Sequence, residues 1–160
     1  MDACQSVDVV YLDFAKAFDK VPHQRLSAKL EAVGIGGNLL RWIDRWLLDR
    51  RQKVGVRGKC LEWMKITSGV PQGSVVGPPL VAIYINDTDE GIAAKVSKFA
   101  DDTKLCRTII NDNAVNVLRN NLIQIFRWSQ DWLMMLNVEK CNVMHLGKNN
   151  QKMSIRVRRN

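Results

Sequence analysis

Four cysteines, four prolines and two histidines are spread thinly over 160 residues, and each scarcity removes a class of protein. Cys4, Cys60, Cys106 and Cys141 lie far apart with no CxxC pair, and only His145 falls near one of them. Neither a zinc module nor a disulfide framework is expected; buried free thiols in a reducing compartment are. No stretch reaches the roughly 18 uncharged apolar residues a membrane span needs. The opening Met1-Asp2-Ala3-Cys4-Gln5 lacks the basic-then-apolar order of a signal peptide, so the expectation is an intracellular chain, in nucleus or cytoplasm, not secreted. Acids are scarce too: 16 Asp and Glu against 24 Lys and Arg leave a net charge of +8. That balance favours a polyanionic partner, nucleic acid or an acidic membrane surface, over a neutral one.

What is present suits one globular domain. Hydrophobic content of 46% and charged content of 25% are ordinary, and a chain of this length buries roughly 70% of its unfolded surface. Val7 to Phe14 is short, apolar and partly β-branched, which predicts a buried strand ending at Asp13. Leu26, Leu30 and Val33 predict a helix over 23–33, stopped by Gly34 and Gly36-Gly37, and Leu39, Leu40, Ile43, Leu47 and Leu48 predict a second. Val54 to Val56 and Leu61 to Ile66 predict two strands about the turn Gly58-Lys59. The Gly- and Pro-rich segment from Thr67 to Pro79 predicts an ordered loop leading into an apolar helix near Leu80 to Asn86. Ala93 to Thr108 predicts a hairpin, 114–136 a long amphipathic helix, and Val143 to Leu146 a last strand. No internal repeat and no domain boundary interrupts this order, which is mixed α+β with helices packed on a largely antiparallel sheet. Residues 148–160 are polar and basic, with Lys148, Lys152, Arg156, Arg158 and Arg159, and are expected to fray.

Adjacent acids at Asp101-Asp102 are the costliest local feature. Two carboxylates about 4 Å apart repel by roughly 4 kcal/mol at an effective dielectric of 20, so one must take up a proton or a cation must neutralise the pair. A solvated Asp-rich turn is the bland alternative, and for a bare pair it is the better one. Asp13, at the end of another strand, and the loop Ser68-Gly69-Val70-Pro71-Gln72-Gly73 change the balance. Acids from two strands can converge on two magnesium ions, which suit a site of few carboxylates completed by waters and substrate phosphates. The chemistry this implies is nucleotidyl transfer.

Asp13-Phe14-Ala15-Lys16-Ala17-Phe18-Asp19, Ser68-Gly69-Val70-Pro71-Gln72-Gly73-Ser74 and Phe99-Ala100-Asp101-Asp102 resemble, in order, the A, B and C motifs of reverse transcriptases. Val21-Pro22-His23, Tyr84-Ile85-Asn86-Asp87 and Asp102-Thr103-Lys104-Leu105 are similar to the wording of non-LTR, LINE-type retrotransposon enzymes. The resemblance runs from about Val7 to Gly147, and three ordered motifs are far more specific than any one. It implies a palm-type fold over 1–147, with truncated fingers and no thumb. It implies an RNA-directed DNA polymerase acting with an RNA template, a DNA primer and deoxynucleoside triphosphates, using two Mg2+ ions, with Mn2+ as the alternative. Asp13 and Asp101 match the metal-binding aspartates, Asp102 the more peripheral acid, and Phe14 lends only its carbonyl to a metal. Phe18 matches the aromatic that rejects a 2′-hydroxyl, Gln72 the polar residue over the incoming nucleotide, and Pro71 and Gly73 the shape of its loop. Lys140 resembles the motif D lysine that protonates the pyrophosphate leaving group, a general acid.

Arg41, Arg45, Arg50, Arg51 and Lys53 form a basic stretch with Arg41 and Arg45 on one helix face. It is either a track for a template backbone or a solvated face balanced by Asp44 and Asp49. Trp42 and Trp46 are expected in the core rather than against bases, and His23 and His145 to be structural or exposed. Only twelve residues precede Asp13, so the expectation is that the upstream fingers segment that grips the triphosphate in this family is absent. Ala15 and Gly77-Pro78-Pro79-Leu80-Val81 depart from commoner family wording without touching a metal ligand. The expectation is a core fragment, weakly active or inactive alone; the alternative is a non-catalytic retrotransposon-derived remnant acting as a basic RNA-binding module.

Overall fold

Alternation in the first strand sets the central sheet. In the computed structural model, which describes residues 5–148, 150 and 152, β1 (Val7–Leu12) buries Asp8, Val10 and Leu12 on one face, as period-two side-chain direction requires. The chain divides into two compact units, residues 1–15 with 85–160, and residues 16–84.

The first unit holds β1, β6 (Lys95–Phe99), β7 (Asp102–Thr108), α5 (Asp112–Asp131) and β8 (Asn142–Leu146). All four strands pair antiparallel in the order β6-β7-β1-β8, with β1 between strands that come much later in sequence. Thr103 and Leu105 lie opposite Leu12 and Val10 and complete the buried face. Helix α5 begins where the Asn111 side chain accepts the Ala114 N–H at 3.0 Å, an N-cap worth about 1 kcal/mol. It packs against β7 and buries Val115, Leu118, Leu122 and Ile125. Asp8 is only 1% exposed, and its carboxylate takes hydrogen bonds from His145 Nδ1 and Asn150 Nδ2, each at 2.7 Å.

The second unit is helical, with α1 (Ala17–Lys20), α2 (His23–Ala32), α3 (Gly37–Leu47) and α4 (Gly77–Tyr84). Helix α2 packs on α3 and α4, and Leu26, Leu30, Leu47, Leu80 and Val81 are buried. Lys29 is buried with its ammonium 4.9 Å from the Tyr84 ring centroid and bonded to the Tyr84 carbonyl. Between α3 and α4 runs an exposed hairpin of four short strands: β2 (Arg51–Gln52), β3 (Gly55–Val56), β4 (Lys59–Cys60) and β5 (Met64–Lys65).

Several expectations need correction. The last helix stops at Asp131, because Leu133 takes φ +55°; apolar spacing continues to Leu136 because Met134 and Leu136 are buried beyond it, with Phe14 bridging Leu136. The apolar helix starts at Gly77, not Leu80, since Pro78 and Pro79 fit a first turn whose N–H groups have no helical partner. Trp42 is 50% exposed and stacks on Trp46 at 6.1 Å; the buried stripe of α3 is Leu40, Ile43 and Leu47, which leaves the tryptophans on its flank. Cys60 is exposed on the hairpin while Cys106 and Cys141 are half-buried, so the thiols are not uniformly interior. Asn150 is tied to Asp8 rather than frayed. Cys4, Arg156, Arg158 and Arg159 lie outside the described residues. No helix among the described residues is long and apolar enough to cross a membrane.

Candidate active site

Register brings the acids to one end of the sheet. Leu12 is opposite Thr103 and Phe99 opposite Asp102, so Asp13 leaves β1 at the end where β7 begins and where Ala100-Asp101 forms the two-residue turn. Ala100 takes φ +51°, a left-handed conformation costing a side-chain-bearing residue about 1–2 kcal/mol. Strain of that kind concentrates at functional turns, and here it immediately precedes Asp101. Asp101 is half-buried and Asp102 exposed.

Asp13 is the best-furnished of the three. Its side chain is 22% exposed and its Oδ2 lies 3.4 Å from Lys140 Nζ, which is 66% exposed. So open a pair adds little stability, but it shows that Lys140 reaches this carboxylate. The Asp13 carbonyl accepts the Asn137 N–H and Ala15 N–H donates to Met135, both at 2.8 Å. Backbone groups alternate sides along a strand, so the Phe14 carbonyl faces away from the Met135–Asn137 segment. The Phe14 ring is buried 5.9 Å from Trp128, whose indole donates to Asp87 at 3.1 Å.

Sequence reasoning missed Asn137 and Cys141. Burial pushes the Cys141 thiol pKa up, the negative charge of Asp13 adds to the rise, and a hydrogen bond with the Asp13 backbone opposes it. Neither residue carries a local signal, because the pairing of distant segments delivers both.

Among the described residues no three His, Cys, Asp or Glu side chains form a ready metal cage. The donor set of Asp13, Asp101, Asp102 and the Phe14 carbonyl is nonetheless all oxygen and short of ligands. That fits magnesium, which takes one or two carboxylates and completes its shell with water and substrate phosphate.

The remaining expected residues lie in the helical unit. Phe18 sits half-buried in α1, and its carbonyl accepts the Val70 N–H at 2.7 Å. Gly69 donates to the Val21 carbonyl at 2.7 Å, and its own carbonyl receives His23 Nε2 at 2.8 Å and a bond from Arg50. These bonds join the Pro71-Gln72-Gly73 loop to the turn that carries Phe18. Ser74 Oγ donates to the Pro71 carbonyl at 2.7 Å and accepts Gly77 N–H at 3.0 Å, which folds the loop back and leaves Gln72 and Gly73 exposed at its tip. Arg50 also bonds the Leu47 carbonyl at 3.2 Å, and burial pushes its pKa down; its guanidinium is engaged in holding the loop. Arg41, Arg45, Arg51 and Lys53 are exposed, and Arg41 bonds Asn38.

Comparison with known proteins gives one coherent set of matches. The family model "Reverse transcriptase (RNA-dependent DNA polymerase)" matches residues 4–157. The RNA-directed DNA polymerase from mobile element jockey of Drosophila melanogaster is 29% identical over 142 residues, 82% of this chain and 15% of its own length. The retrovirus-related Pol polyprotein from type-1 retrotransposable element R2 of Popillia japonica is 30% identical over 150 residues, 86% of this chain and 24% of its own. Telomerase from Candida tropicalis superposes with a TM-score of 0.70 over 95% of this chain and 28% of its own, at 10% identity, a likeness of fold. The chain therefore spans under a quarter of the length of these curated relatives.

Proposed function

This chain belongs to the reverse transcriptase (RNA-dependent DNA polymerase) family, and from that premise we propose that it carries the nucleotidyl-transfer core of an RNA-directed DNA polymerase of the non-LTR, LINE type. The observation that supports this most is the register that sets Asp13 and Asp101-Asp102 at the same end of the sheet, on strands paired side by side. Asp13, Asp101 and the Phe14 carbonyl would hold two hard cations, and Asp102 would supply peripheral negative charge. Mg2+ held there would supply Lewis-acid stabilisation of the negative charge that develops in phosphoryl transfer.

The protein's own groups divide the rest of the work. Lys140 holds a proton on Nζ beside Asp13 and gives it to the departing pyrophosphate. Phe18 rejects a 2′-hydroxyl, and Gln72 meets the incoming deoxynucleotide from the tip of its folded loop. Arg41, Arg45, Arg51 and Lys53 contact the backbone of the RNA template; Arg50, committed to carbonyls, positions the loop instead.

Titration with Mn2+ followed by electron paramagnetic resonance tests the site directly. The parent chain should bind the ion, and Asp13→Asn and Asp101→Asn should each lose it; equal binding by all three would overturn the assignment. Primer extension on an RNA template with Mg2+ should give weak, short products that Asp101→Asn abolishes. A second reading, a non-catalytic basic RNA-binding module, is favoured by the exposed cations and predicts RNA binding without the metal site.

A further inference from the structure

We propose that one face of the hairpin from Arg51 to Lys65 grips single-stranded RNA, with Trp63 as a base-stacking platform and Arg51, Lys53 and Lys65 as phosphate contacts. Every residue from 51 to 65 is exposed. The hairpin carries Arg51, Lys53, Arg57, Lys59 and Lys65 against the single acid Glu62.

Register shows how the face is built. Arg51 pairs with Lys65 and Gln52 with Met64, but beyond them Gly55 pairs with Cys60 and Val56 with Lys59. Lys53-Val54 must therefore be spanned by Leu61-Glu62-Trp63, one residue more, which is a β-bulge. Leu61 N–H bonds the Val54 carbonyl at 2.8 Å, so the extra residue falls where Glu62 and Trp63 both oppose Lys53. The Lys53 ammonium accordingly lies 4.9 Å from the Trp63 ring centroid.

Alternation then sorts the ribbon. Arg51, Lys53, Lys65 and Trp63 share one face with Glu62 and the small residues Gly55 and Cys60, while Gln52, Val54, Val56, Lys59, Leu61 and Met64 take the other. Trp63 remains 60% exposed. Alternate residues on a strand are about 6–7 Å apart, close to the spacing of successive phosphates in an extended single strand. The ion pair on this face among the described residues, Lys65 with Asp49 at 3.4 Å, is between groups 62% and 90% exposed, so phosphate can replace it at little cost. Cations with one open aromatic ring match a single strand, whose bases are free to stack. A duplex presents only its phosphates.

The choice of RNA rests on the polymerase reading; the site rests on the hairpin. Fluorescence anisotropy with the whole chain and a labelled oligouridylate of roughly a dozen nucleotides, in EDTA, tests it separately from metal chemistry. Trp63→Ala should weaken binding about 5- to 150-fold and Trp63→Phe should restore most of it. Arg51→Gln should flatten the dependence of log affinity on log salt by about 0.7, and Glu62→Gln should tighten binding. Unchanged affinity in Trp63→Ala, equal loss in Met64→Ala on the opposite face, or equally tight binding of a duplex would each overturn the proposal.

Discussion

Gly69 and Gly73 have nearly the same backbone and opposite surroundings, so one substitution made at both separates conformational strain from close packing. Gly69 has φ +82° and Gly73 φ +84°. A Cβ at Gly73 meets nothing within 4 Å, whereas at Gly69 it falls 2.6 Å from the carbonyl oxygens of Phe18 and Asp19. Left-handed backbone alone costs alanine about 1 kcal/mol. At Gly69 the clash must also be relieved by moving backbone held by Val70 N–H to Phe18 at 2.7 Å, Gly69 N–H to Val21 at 2.7 Å and Ser68 Oγ to Asp19 at 2.9 Å. Losing two or three such bonds at about 1 kcal/mol each brings Gly69→Ala to about 3–4 kcal/mol, a large share of an ordinary domain stability of about 5–15 kcal/mol. With a urea slope near 2 kcal/mol per molar, the midpoint should fall by about 1.5–2 M for Gly69→Ala and about 0.5 M for Gly73→Ala, read by tryptophan fluorescence. Equal shifts for the two would refute the reasoning, because the neighbouring carbonyls would then cost nothing.

Two further outcomes follow from the sheet unit. Asp8→Asn keeps the shape but removes the charge that binds His145 and Asn150, and should cost about 1–3 kcal/mol, seen as a lower midpoint in thermal unfolding; no change would mean that these bonds are absent in solution. Cys60 is exposed, while burial and the Asp13 charge hold the Cys141 thiol protonated beyond its usual range. Iodoacetamide near neutral pH should therefore modify Cys60 first, and Cys141 should react appreciably only as pH rises past the ordinary thiol range; peptide mapping that shows Cys141 modified first would contradict the placement.

Local chemistry explains which parts were legible in the sequence. The α2 helix and β1 announce themselves because a 3.6-residue or two-residue period coincides with burial, and the Asp101-Asp102 turn because two adjacent acids are costly anywhere. The end of α5 was hidden because Met134 and Leu136 stay buried after the helix has stopped. The tryptophans of α3 misled because an aromatic pair at i, i+4 is equally consistent with a core stripe and an exposed flank. At the acids, the resemblance named Asp13 and Lys140 separately, but only the pairing of distant segments brings Lys140 to the Asp13 carboxylate and Asn137 and Cys141 to its backbone. The hairpin bulge was visible only as an irregularity at Trp63 and Met64, since register is a relation between strands.

The central position of β1 also governs when this molecule can exist as a folded object. Its partners, β7 and β8, are separated from it by the whole helical unit. At about 5–20 residues per second of synthesis, β1 waits on the order of ten seconds with both edges unpaired. The helical unit, built from local contacts, is free to form during that interval. A ribosome stalled before Asn142 would leave one side of Val7–Leu12 as an open edge, a template for intermolecular pairing. Translation speed between Leu12 and Asp102 thus sets how long Asp13 waits before the strand that carries the other acids can pair beside it.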